Sequence, residues 1–101
     1  MENQHRKISG YRELSEDEIS LMNAIKAAGG ELLTLQAKLA GHLQAQRIGK
    51  KVAAEHGHQT DIDELARFTT AEPERWAAIG KTDIQTGLMA LVRSVAQPAG
   101  V

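Results

Sequence analysis

The sequence predicts an all-α protein: an antiparallel hairpin of two long helices with a short N-terminal arm or helix, assembled as a homo-oligomer. Three observations carry this. Only 3% of the residues are aromatic (Tyr11, Phe68 and Trp76), so a core has to be built from Leu, Ile, Val, Met and Ala, a set that suits helices better than sheets. Two long stretches repeat apolar residues every three or four positions, the period of one helical face. Each of these stretches also carries a second apolar stripe, which a single partner helix would leave uncovered.

Residues 1–14 are polar, carry Arg6, Lys7 and Arg12, and read as an arm. Ser15 followed by Glu18 fits a capping box, and Glu16, Asp17 and Glu18 put negative charge where a helix N-terminus favours it. The first long helix is therefore predicted over 15–46. Its main stripe is Leu21, Ile25, Ala28, Leu32, Leu35, Leu39 and Leu43, while Ile19, Met22 and Leu33 lie to one side. Residues 47–71 form a connector in which a basic patch (Arg47, Lys50, Lys51) gives way to His56, His58 and then acidic residues. Asp61 with Glu64 can cap a turn or two carrying Ile62, Leu65 and Phe68. Pro73 suits the first turn of a helix, where its missing N–H would have no partner anyway. The second long helix is predicted over 72–97, with Trp76, Gly80, Ile84, Gly87, Leu88, Leu91 and Val95 on one face and Pro98 as its stop. On this helix Met89 and Val92 form the second stripe. With both helices oversupplied in apolar surface, the second stripes are expected to face other copies of the chain.

The length of 101 residues is that of one domain, 1–101. Twelve basic against 13 acidic side chains give a net charge of -1, which lacks the global positive field of a protein that coats polymeric nucleic acid. Without cysteine there are no disulfides, iron–sulfur clusters or thiol nucleophiles, and a reducing cytoplasm is the natural setting. The N-terminal residues lack an apolar export run. The longest apolar stretch, Ile84 to Val95, is broken by Gln85, Thr86 and Arg93, so no membrane partner is expected.

Few residues are arranged for chemistry. Gly80-Lys81-Thr82 resembles the end of a phosphate-binding loop, but the required glycine is replaced by Arg75 and no strand precedes it. His56 and His58 have only Asp61 and Asp63 nearby, a thin ligand set for a metal, and the carboxylates are explained by capping and solubility. No metal, cofactor or catalytic residue is predicted. Lys26 is more informative because it shares the secondary face of Ile19, Met22, Gly30 and Leu33. Either its stem packs while the ammonium reaches water, or it meets a phosphate at an interface. Gly29 and Gly30, within one turn, would admit a flat ligand or a second backbone. Tyr11 is equally suited to stacking on a base or to stapling the helix start.

The stretches Arg6 to Lys26 and Glu72 to Pro98, with the strings G-Y-R-E-L and R-W-x-A-I-G-K-T-D-I-Q-T-G, closely resemble phage anti-CBASS cyclic-oligonucleotide sponges, the second type of anti-CBASS protein. The two stretches cover about half of the chain; Arg47 to Thr70 shows no clear counterpart. The resemblance implies a non-enzymatic homo-hexamer in the cytoplasm of the infected bacterial host. It implies that cyclic dinucleotides are bound between protomers and cyclic trinucleotides at a separate site, both held without degradation to block CBASS antiviral signalling. Matched by motif, the stacking tyrosine is Tyr11 and the phosphate-contacting lysine is Lys26; Met22, one turn before Lys26, is placed with them. Arg75 and Thr82 fall at the trinucleotide positions. Arg75 in a helix's first turn suits an anion, and Thr82, about two turns on, returns to nearly the same face. A surface pair of Arg75 with Glu72 or Glu74 is the plain alternative. The alternative function is a small helical adaptor or DNA-binding regulator using the basic arm and the Arg47 to Lys51 patch.

Overall fold

The computed structural model describes residues 12–99. They form three helices, α1 (Glu16–Ala54), α2 (Gln59–Ala71) and α3 (Pro73–Ala96), and no strand among the described residues. The chain divides into two compact units, Met1–Leu32 with Asp83–Val101, and Leu33–Thr82.

In the first unit, α1 begins as the capping box predicts. The Ser15 hydroxyl accepts the Glu18 N–H at 3.2 Å, and Glu18 returns a carboxylate oxygen to the Ser15 N–H at 2.9 Å. Arg12, just ahead of α1, reaches the Val95 carbonyl near the end of α3, whereas Gly29 further along α1 meets Leu88 further back on α3. The two helices are thus antiparallel. Gly29 is buried against α3: a Cβ there would collide with both Cδ atoms of Leu88 and sit 2.8 Å from its Cγ. Gly30 meets nothing within 4 Å in the same test.

The second unit shows the same antiparallel order, Gln36 donating to the Ala77 carbonyl at 2.9 Å and Arg47 pairing with Glu74 at 2.8 Å. Here α1 does not stop at residue 46 as the sequence suggests; it continues for two more turns to Ala54. Arg47 and Lys50 hold these turns through partners on other elements, Glu74 on α3 and Glu64 on α2, the latter at 3.0 Å. Gly57, with φ of 84°, then supplies the left-handed residue that releases the chain, its N–H bonded to the Ala54 carbonyl. Most of the supposed connector is consequently helix. The proposed Asp61–Glu64 cap is also displaced: α2 starts at Gln59, with His58 as an N-cap lacking any side-chain bond and Asp61 within the first turn. Phe68 on α2 is buried, under the Lys50 ammonium 5.6 Å from its ring centre. A single residue, Glu72, separates α2 from Pro73, the first residue of α3.

Burial reverses one expectation. The stripe assigned to the hairpin interior is largely outside: Leu21, Leu32, Leu35 and Leu39 are exposed, whereas Ile19, Met22 and Leu33, assigned outward, are half-buried. Register explains the exchange. The points where α1 meets α3 are Gly29, Gln36 and Arg47, and these share a face with Met22, Ile25, Leu33 and Leu43. On α3, Trp76, Met89 and Leu91 are exposed, while Ile84, Leu88, Val92 and Val95 are half-buried. Among the described residues, only Phe68 and Ala96 are buried hydrophobics.

Candidate ligand-binding sites

In the first unit, α1 presents Lys26 to α3 along a groove of about 620 Å³. Its walls are apolar, chiefly Leu88, Met89, Val92 and Ala96, with Pro98 also in the lining. Arg93 adds a second basic side chain to the lining. The groove can therefore take a flat apolar body that carries negative charge, because ammonium and guanidinium groups in its lining make charge-assisted bonds to phosphate oxygens. Met22 lies half-buried on α1 one turn before Lys26 and is not part of the lining. Tyr11 lies outside the described residues. Gly29, read as room for a ligand, is filled by Leu88 instead, leaving Gly30 as the open glycine on that turn.

Arg93, in the lining of this groove, and Arg12, outside the lining just ahead of α1, are two residues that the sequence did not single out. Arg93 belongs beside Lys26 only once the antiparallel register is known. Arg12 holds Glu18 through two bonds, 3.2 Å from Nη1 and 2.5 Å from Nη2, and the Glu18 carboxyl is lowered from 4.5 to about 2, first by the Arg12 hydrogen bonds and then by the Ser15 backbone.

In the second unit, Arg75 stands exposed in the first turn of α3, with Nη1 on a Glu72 carboxylate oxygen at 3.0 Å and its guanidinium 5.3 Å from the Trp76 ring centre. The plain surface pair is thus formed. Both contacts are solvent-exposed, and exposed pairs of this kind are worth little and yield easily to a stronger anion. Thr82 is on the same helix, exposed, its hydroxyl 3.4 Å from the Ala78 carbonyl. The two are separated by seven residues, a rise of about 10 Å. Elsewhere in this unit Glu64 takes bonds from Arg67 at 2.8 and 2.6 Å and from Lys50, which hold its carboxyl near 2. That cluster is fully occupied in tying α2 to α1. Among the described residues no group of three or more His, Cys, Asp or Glu is placed to hold a metal, and no helix is long and apolar enough to cross a membrane.

Comparison with known proteins decides the lineage. The sequence profile described as Acb2/Tad1, hairpin domain, matches residues 6–96. The chain belongs to the Acb2/Tad1 hairpin-domain family. A relative from Pseudomonas phage JBD67, named Anti-CBASS protein 2, is 60% identical over 107 aligned positions spanning 99% of each chain. The range of the Acb2/Tad1 match includes residues 47–70, the segment that shows no clear counterpart in the sequence reading. In this family member the hairpin helices are α1 and α3, and the groove beside Lys26 lies between them.

Proposed function

We propose that this protein is a phage-encoded, non-enzymatic sponge that sequesters cyclic di- and trinucleotide messengers and so blocks CBASS signalling in the cytoplasm of the infected host. The observation that carries the reading is the near-full-length identity of 60% with a protein named Anti-CBASS protein 2. The groove beside Lys26 agrees with it, since an apolar wall with basic groups in the lining suits paired bases joined by phosphates. In this reading Lys26 contacts phosphate, Tyr11 stacks on a base and Met22 packs beside them. Arg75 and Thr82 serve a separate trinucleotide site. The assembly is a homo-hexamer, in which three copies of Arg75 around a threefold axis match a ring of three phosphates.

One binding experiment tests the ligand assignments. The protein is titrated with cyclic dinucleotides and cyclic trinucleotides, then heat-denatured, and the released ligand is weighed by mass spectrometry. Both ligands return intact; linear products would mean an enzyme. Lys26→Glu loses dinucleotide and keeps trinucleotide, Arg75→Ala does the reverse, and Tyr11→Ala weakens dinucleotide binding roughly ten- to a hundredfold, the worth of one stacked base. Equal loss of both ligands in either charge variant would reduce the two sites to one.

A further inference from the structure

Arg12 makes more bonds than the start of a helix requires. The Ser15–Glu18 capping box already satisfies the first turn of α1. Beyond holding both Glu18 carboxylate oxygens, Arg12 Nη2 donates to the Val95 carbonyl at 2.8 Å, a bond spanning 83 residues. Val95 lies in the last turn of α3, where carbonyls lack an intrahelical partner and the helix dipole is negative. A guanidinium there is both a cap and a matched charge. The next residue, Ala96, lines the groove with Lys26, and so does Pro98. Two helices meet at this one side chain: the first turn of the helix that carries Lys26, and the end of the helix that walls the groove.

We propose that Arg12 is a positioning residue for the dinucleotide site. By latching the C-terminal turn of α3 to the start of α1, it sets the distance between the Ala96–Pro98 wall and Lys26. Ligand then binds a groove whose Ala96–Pro98 wall is already in place, and the ordering cost is met in the free protein. This rests on the dinucleotide reading given above for Lys26.

The test uses wild type, Arg12→Ala, Arg12→Lys and Glu18→Gln, each as the full chain, titrated with cyclic di-AMP, cyclic di-GMP, the mixed dinucleotide and cyclic tri-AMP. Arg12→Ala weakens dinucleotide binding about tenfold, the range for losing one pre-ordered element, and leaves the trinucleotide unchanged. Arg12→Lys, which can still reach the Val95 carbonyl, recovers part of the loss. Amide exchange in the ligand-free protein separates positioning from contact: Arg12→Ala speeds exchange at Ala96 and Gln97. Unchanged exchange with lost affinity would make Arg12 a ligand contact and overturn the proposal, as would dinucleotide binding equal to wild type. Should Arg12→Ala not fold, Glu18→Gln decides, with a smaller dinucleotide loss supporting the latch and none refuting it. A wild-type protein that binds none of the three dinucleotides would instead sink the functional reading, while the exchange data would still judge the latch.

Discussion

At the scale of single residues, the two adjacent glycines of α1 separate cleanly. Gly29 faces Leu88 so closely that a methyl group has no room, while Gly30 has none of that crowding. An alanine at either position gains about 1 kcal/mol of helix propensity. At Gly29 this gain is outweighed by the overpacking cost of about 1–3 kcal/mol. Gly29→Ala should therefore lower the thermal melting point and Gly30→Ala should raise it, by a few degrees each for a chain of this size. The opposite order in a melting experiment would show that the close approach of α1 to α3 at Leu88 is misplaced. The same contact explains why Gly29 is unsuited to receiving a ligand, and why Lys26 looks onto a groove built mostly by α3.

At the scale of elements, helix ends in this protein are held by carboxylates with strong partners. Glu18 at the start of α1 is lowered from 4.5 to about 2 by Arg12 first, and Glu64 on α2 equally by Arg67 first and then Lys50. Their folded values lie below the unfolded one, so between about pH 4.5 and pH 2 the unfolded chain binds protons that the folded chain does not. The contribution of these pairs is fully present above that window and is lost as pH falls through it. Denaturant midpoints measured from roughly pH 6 down to pH 3 should thus decline, and the decline should be shallower in Glu18→Gln and Glu64→Gln. A slope unaffected by either substitution would deny these pairs a role. The same pairs show why the end of α1 escaped sequence reading. Local periodicity fades after residue 46, and the helix continues because Arg47 and Lys50 find acids on α3 and α2.

For the whole molecule, the notable property is apolar surface without cover. Leu35 is 60% exposed and Met89 72%, in company with Leu21, Leu39 and Leu91. A chain of 11.0 kDa that leaves such stripes to water would be prone to associate. In the proposed assembly these stripes are the subunit contacts, so light scattering should give a mass several times that of one chain. Leu35→Glu places a charge in the middle of the α1 stripe and should shift the protein toward smaller species while far-ultraviolet circular dichroism still reports helix. A wild-type protein that runs as a folded monomer at micromolar concentration would refute the assembly. Intact assembly in Leu35→Glu would move the contact to another face.

What the sequence determined by itself was whatever depends on neighbours along the chain. The Ser15–Glu18 capping box, the place of Pro73 at the head of α3, the long helical periods and the excess of apolar surface were all legible, because each is set within one or two turns. Lys26 also stood out, as a cation on an apolar face. What only the tertiary structure decided was register. It turned Met22 and Leu33 inward and Leu35 outward, put Arg93 beside Lys26, filled Gly29 with Leu88 and carried α1 through residue 54. When a helix carries two apolar stripes of similar strength, hydrophobicity cannot choose between them. The choice falls to a few specific long-range contacts, here Leu88 on Gly29, Gln36 on Ala77 and Arg47 on Glu74, which no local pattern encodes.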